Sequence, residues 1–229
     1  CAASAGLALV AMTATVALAD ALNAVRLDPR TVLERSEAVL GRSIGSYMLT
    51  DSLGAPLAFA AYRGKPLVVS LVYTSCSSVC PTTTQHLISA VSEARRIFGS
   101  GEFAILTVGF DARNDTPARM AQFAAVQGVK FDNWRLASAD SGTMSALLRD
   151  LGFSYAAIVG GFDHITQTTI LDARGRIVLQ VYGEDFAPPL VVEPLKKLVW
   201  GQNLDRRTLD GLVNTVKLFC TIYDPSSGR

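Results

Sequence analysis

Charge is something this chain has little of. Only 18% of its 229 residues are Asp, Glu, Lys or Arg, and 21 basic residues nearly cancel 20 acidic ones. No run of Lys or Arg exceeds a pair, so the footprint of a protein that grips nucleic acid or an anionic surface is missing, and that class is excluded. Internal repeats and low-complexity tracts are absent as well, which removes repeat architectures. Histidine is scarce: His86 and His164 are the only two, so the search for an imidazole ligand has two candidates. What remains is a chain 49% hydrophobic, enough to bury one sizeable core.

The ends of the chain differ from its middle. Residues 1–19 carry no charge and finish Ala17-Leu18-Ala19 before Asp20, the apolar core and A-x-A pattern of a leader that directs export. The initiator Met and basic flank of such a leader are missing, so the chain is expected to begin inside a longer precursor. An uncleaved anchor is the alternative, since about 18 apolar residues is the lower limit for spanning a bilayer. Cys1 is given no role. Residues 20–41 read as a linker with a short helix, capped at Asp28-Pro29 and stopped by Gly41. The main domain is expected over 42–200. Residues 201–229 read as a C-terminal helix and tail, with Leu209, Leu212, Val213, Val216 and Phe219 on one helical face. Beside that face Cys220 reads as a small buried hydrophobe.

The chemistry concentrates at residues 65–87. Residues 67–73 are apolar except for Ser70 and too short for a typical helix, the pattern of a strand buried on both faces. Then come Cys76, Cys80 and Pro81, and a segment whose Leu87, Val91, Ala94 and Phe98 recur at helical spacing. The two thiols therefore sit where a strand hands over to a helix, and a four-residue offset puts their Cβ atoms roughly 5–6 Å apart on one face. Unpaired N–H groups at the helix start favour thiolate over thiol, the form that binds metal or attacks a disulfide. A structural disulfide is the bland alternative, but a staple closing so short a loop constrains little of the unfolded chain.

The remaining pattern alternates strands and helices. Residues 47–51 and 57–61 flank Gly54-Ala55-Pro56 as a hairpin, 103–110 is a second apolar strand, and Pro117 starts a helix that Gly128 ends. A short strand over 134–137, a helix over 141–151, a hairpin of 166–172 with 176–182, and a helix opened by Pro188 and Pro189 complete the domain. The fold class is α/β: a thioredoxin-like sandwich, its central mixed sheet flanked by helices, with an N-terminal hairpin. His86 falls six residues after Cys80, about 240° around a helix, so it points away from the thiols as a solvated position. His164 stands in Gly160-Gly161-Phe162-Asp163-His164, which reads as a flexible loop entering a strand. Two thiolates with an imidazole would suit Cu(I) or, with an open fourth position, Zn(II).

These blocks carry a resemblance. Tyr73-Thr74-Ser75-Cys76-Ser77-Ser78-Val79-Cys80-Pro81 resembles the C-x-x-x-C-P motif of the Sco/SenC family of copper-binding cytochrome c oxidase assembly proteins. Phe110-Asp111-Ala112-Arg113-Asn114-Asp115-Thr116-Pro117 is similar to that family's F-D-P-x-x-D-T-P, with Ala112 for a proline. Asn133-Trp134-Arg135-Leu136 matches more loosely, and Asp163-His164 followed by Ile170-Leu171-Asp172-Ala173-Arg174-Gly175 resembles a further family block. Ser77 replaces the proline that many members have after the first Cys.

The resemblance, spanning about 45–200, implies a thioredoxin fold and copper ligands at Cys76, Cys80 and His164. The function it implies is a copper metallochaperone, handling Cu(I) or Cu(II), that supplies the copper-A centre of cytochrome c oxidase subunit II or another periplasmic copper protein. The implied location is the bacterial periplasm, in association with the inner membrane. The alternative is an enzyme, a thiol-disulfide reductase using Cys76 and Cys80 on the same acceptor, itself served by a thiol reductant. No proline lies between Pro117 and Pro188, so the cis-proline loop that faces the thiols of thioredoxins has no counterpart, which weighs against the reductase. A thiol peroxidase ranks last, since it needs one activated Cys and no His ligand. Asp163 is expected to orient the His164 loop or ring.

Overall fold

The computed structural model describes residues 27–202, 204 and 219–220. The leader expected over 1–19 lies outside these residues, as does most of the helix expected over 204–219. Helix α1 (Pro29–Glu37) begins as its sequence dictates: the Asp28 carboxylate accepts from the Thr31 N–H at 2.8 Å and Pro29 occupies the first turn. It is no mere spacer. Ser36 is buried and donates to Gln167 Oε1 at 2.8 Å, tying α1 to the main sheet.

That sheet has seven strands in the order β2-β1-β5-β4-β3-β8-β9. Its centre is β3 (Leu67–Val72), parallel to β4 (Ala104–Gly109) and antiparallel to β8 (Gln167–Leu171). All six residues of β3 are buried, and each Val or Leu so placed contributes about 1.5–3 kcal/mol. β5 (Trp134–Ser138) continues the parallel run. On one edge β1 (Met48–Asp51) and β2 (Pro56–Ala58) form the expected hairpin, but its second arm is shorter than the sequence pattern predicts. Phe59–Tyr62 is a 3-10 turn instead, which drives Phe59 into the core. On the other edge β9 (Ile177–Tyr182) pairs antiparallel with β8.

Helices α2 (Val79–Phe98), α3 (Pro117–Gln127), α4 (Ser141–Asp150) and α5 (Pro189–Val199) complete the domain. In α2 the buried residues include Leu87, Val91 and Ala94, the stripe read from the sequence. α4 is capped by Asp140, whose carboxylate accepts from Gly142 and Thr143 N–H groups.

A second sheet, in the order β10-β7-β6, departs from the sequence pattern. β6 (Tyr155–Ile158) and β7 (Gly161–Ile165) form a hairpin around Val159 and Gly160. Gly160 has φ 86°, a conformation that suits glycine in a tight turn. His164 therefore lies in a strand, not in a flexible loop. β10 (Phe219–Cys220) adds to β7 antiparallel, so Phe219 is extended where helical spacing had placed it in a helix. Pairing with β7 satisfies backbone groups that a helix end would leave open.

Ser70, the polar exception in β3, has a partner. β3 and β4 put Ser70 directly beside Thr107; their hydroxyls lie 2.7 Å apart, and the Trp134 indole N–H donates to Thr107 Oγ1 at 2.9 Å. Buried polar groups are costly when unpaired and nearly neutral when paired. Thr107→Val strands the Trp134 N–H and is expected to lower the unfolding free energy by about 1–3 kcal/mol, read as a lower urea midpoint at unchanged slope. Adding Trp134→Phe to that variant should cost less than Trp134→Phe alone, because the stranded donor is gone.

Candidate metal centre

The strand-to-helix junction is held from outside. After β3, Thr74 donates through its backbone N–H (2.8 Å) and its hydroxyl (2.7 Å) to Asp115 Oδ1, and Asp115 Oδ2 accepts from the Asp111 N–H at 2.9 Å. One buried carboxylate thus binds the cysteine loop to the loop between β4 and α3. Burial pushes the Asp115 pKa up, against the opposing effect of the Thr74 and Asp111 hydrogen bonds. Gly109 makes this approach possible, since a Cβ there would lie 2.5 Å from the Asp115 Cβ.

The Cys76 N–H closes a turn onto the Tyr73 carbonyl at 3.0 Å, and α2 then begins. The Cys80 N–H, in the first turn of α2, points at Cys76 Sγ at 3.4 Å. This is the helix N-terminus acting on a sulfur: an N–H without an intrahelical acceptor meets the group it can stabilise as a thiolate. Both sulfurs are buried, Cys80 more completely than Cys76.

His164 reaches the same end of the molecule from the second sheet. Its residue is 2% exposed, and its ring packs edge-on against Tyr73, at 5.9 Å between centroids, and Phe110, at 5.4 Å. Phe153 closes a third side at 5.7 Å. Nδ1 lies 2.9 Å from the Ile165 carbonyl, which can only accept, so Nδ1 carries the proton and the lone pair is on Nε2. Nε2 is buried and has no hydrogen-bond partner among the described residues. Burial lowers the His164 pKa, opposed by the Ile165 carbonyl and by the negative charges of Cys76 and Asp163. The ring is held neutral, with a lone pair on Nε2 that has no partner among the described residues.

A profile of the SCO1/SenC family matches residues 36–199. The chain belongs to that family. A comparison with curated proteins returns no match. Among solved structures, a candidate electron transfer protein from Aquifex aeolicus VF5 is 26% identical, with a TM-score of 0.65 over 71% of this chain and 95% of that one. ScoI of Bradyrhizobium japonicum with copper bound shares 20% identity and a TM-score of 0.58, covering 68% of this chain and 99% of that one. BsSco, described with a disulfide switch and as a member of the Sco family of cytochrome c oxidase assembly proteins, shares 17% identity and a TM-score of 0.63 over 70% and 95%. The two likenesses at 20% and 17% identity bear on the fold, which is the thioredoxin-like one of Sco structures.

In this SCO1/SenC chain the Cys80 N–H meets the Cys76 sulfur, and the His164 ring packs on that of Tyr73, whose carbonyl accepts the Cys76 N–H. Among the described residues, no group of three or more His, Cys, Asp and Glu is already closed around a metal position. The donor types nevertheless fit a soft ion: two sulfurs, one aided by an N–H, and an imidazole nitrogen with no partner among the described residues. His86 is not part of the site; it is half-buried, with its ring 6.1 Å from that of Phe186. A larger surface hollow of about 390 Å³ lies around Arg63, Lys65 and Glu102, before the start of β3, and contains no thiol or imidazole.

Two features went unread in the sequence. The Asp115 clamp was visible only as part of a matching block, with no pattern to say that its carboxylate faces Thr74. Cys220 was set aside, yet the β10 register places its backbone opposite His164. Asp115→Ala removes the acceptor of three donors and is expected to cost about 2–3 kcal/mol of stability. It should also speed alkylation of Cys76 in the native protein, measured by mass spectrometry after brief iodoacetamide treatment.

Proposed function

We infer that this chain is a copper metallochaperone that binds the ion through Cys76, Cys80 and His164 and delivers it to the copper-A centre of cytochrome c oxidase subunit II. The observation that carries this reading is His164 Nε2, a buried lone pair with no partner among the described residues. Burying a polar atom without a partner is unfavourable, and a neutral imidazole fixed by a backbone carbonyl at its other nitrogen is the form that ligates metal. Thiolates suit Cu(I), imidazole suits Cu(II), and the combination can hold both oxidation states. The family supports the choice of ion: ScoI of Bradyrhizobium japonicum and that of Arabidopsis thaliana have been solved with copper bound.

Location follows the same reading. The apolar residues 1–19 act as leader or anchor, so the protein works in the periplasm at the inner membrane, with 42–200 as its copper-binding domain. A SCO1/SenC family lipoprotein from Bacillus anthracis gives a precedent for anchoring. No helix among the described residues is long and apolar enough to cross a membrane.

A second reading has its own observation. The Cys80 N–H on Cys76 Sγ favours the thiolate that thiol-disulfide exchange needs, so Cys76 and Cys80 could serve as a redox pair that reduces the acceptor's cysteines. The two readings differ in what they ask of His164. Anaerobic titration should give one tightly held copper per wild-type chain and its loss in Cys76→Ser and Cys80→Ser. His164→Ala should lose the Cu(II)–thiolate visible absorption and impair oxidase assembly at limiting copper, while Cys76 and Cys80 still cycle with a redox buffer. Full assembly by His164→Ala at limiting copper would put the reductase first.

A further inference from the structure

We propose that the groove between α2 and α3 is the docking surface for a cysteine-bearing segment of the partner that receives the metal, and that Cys76 is the sulfur this segment meets. The inference rests on the copper-transfer reading above. The groove holds about 280 Å³ and is lined by Thr74, Cys76, Pro81, Arg119, Phe123 and Val126.

Chemistry selects the occupant. Transfer by ligand exchange needs an incoming thiolate within bonding reach while the donor still holds the ion: a first sulfur–metal bond forms as the Cys76 bond breaks, the partner's second thiolate then displaces Cys80, and the His164 bond breaks last, leaving Cys76 and Cys80 as thiolates and the imidazole neutral. Cys80 and His164 are each 2% exposed and neither borders the groove, whereas Cys76 does. The route to the ion therefore passes Cys76.

The walls say more about the partner. Phe123 is buried beneath the groove, and Val126 stands 73% exposed at its rim, an apolar contact for an apolar side chain. Arg119 is exposed, makes no ion pair among the described residues, and has no acidic residue beside it in the lining. A guanidinium there favours the thiolate of an arriving cysteine and an acidic residue next to it. The walls are fixed without a partner: Gln85 Nε2 donates to the Gln127 carbonyl at 2.9 Å and to its side-chain oxygen at 3.1 Å, joining α2 to the end of α3.

The test loads the full chain with Cu(I) under anaerobic conditions and follows transfer, by stopped flow, to two-cysteine peptides that differ only in Glu or Lys beside the thiols. Wild type should deliver to the Glu peptide about tenfold faster than to the Lys peptide, as rim charges act on association. Arg119→Glu should reverse that preference and the uncharged Val126→Ser should slow transfer to the Lys and Glu peptides alike, with copper content and Cu(II) absorption unchanged in both variants. Equal rates for wild type and both variants would overturn the proposal. Should the wild-type chain take up no copper, the metal reading fails separately, and the same peptides supplied as disulfides still probe the groove. Cys76 thiolate then opens the peptide S–S bond to a mixed disulfide, Cys80 displaces the second peptide thiolate, and two electrons pass to the peptide. The same order of rates supports the groove there, and its absence removes it.

Discussion

A buried carboxylate holds the reactive end of this molecule in shape. Asp115 takes two hydrogen bonds from Thr74 and one from Asp111, and so fixes two loops that rise from neighbouring parallel strands. Parallel strands end side by side, so β3 and β4 deliver both loops to one edge of the sheet. Without the carboxylate between them, the donors on both loops would face a low-dielectric gap. The cost of burying Asp115, visible in its raised pKa, is the cost of making that edge rigid. Everything that follows in the chain, the turn at Cys76 and the start of α2, inherits its position from this contact.

The imidazole arrives by a different construction. The thiols lie at the start of the first long helix, just after the central strand of the main sheet, while His164 belongs to a second, smaller sheet. Aromatic rings surround the imidazole: Tyr73 follows β3, Phe110 follows β4, Phe153 precedes β6, and Phe162 lies within β7 and packs on Tyr73 and Phe110. This shell keeps water from the ring and keeps it neutral. It also leaves Nε2 as the polar atom of the imidazole that the described fold does not use.

What could be read from the sequence follows from how local each signal is. The central strand, the thiol pair and the stripe of α2 are patterns within about 30 residues, and periodicity alone reports them. The helix caps at Asp28 and Asp140 are equally local. His164 was harder, because Gly160-Gly161 marks a turn whether the flanking segments pair or not. Only the register of β6 on β7 shows that the hairpin closes and buries the ring. The shortened β2 and the extended Phe219 are cases of the same kind: tertiary partners, Phe59 packing and the β7 edge, decide what propensity leaves open. The Asp115 clamp joins positions 41 residues apart, and no spacing rule reaches across that distance.

The hairpin that carries His164 also sets an order of events. The thiols are four residues apart and can approach through local folding alone, whereas the His164 imidazole reaches its place against Tyr73 and Phe110 only once β6 and β7 have paired and docked. Contacts between segments this distant in sequence form late in folding. An unfolded chain therefore carries the Cys76–Cys80 pair without a His164 ring fixed beside Tyr73 and Phe110, an arrangement that only the native fold supplies. For the copper-carrying role proposed above, the consequence is an order in which folding precedes loading, because the imidazole is set in place only by the finished hairpin.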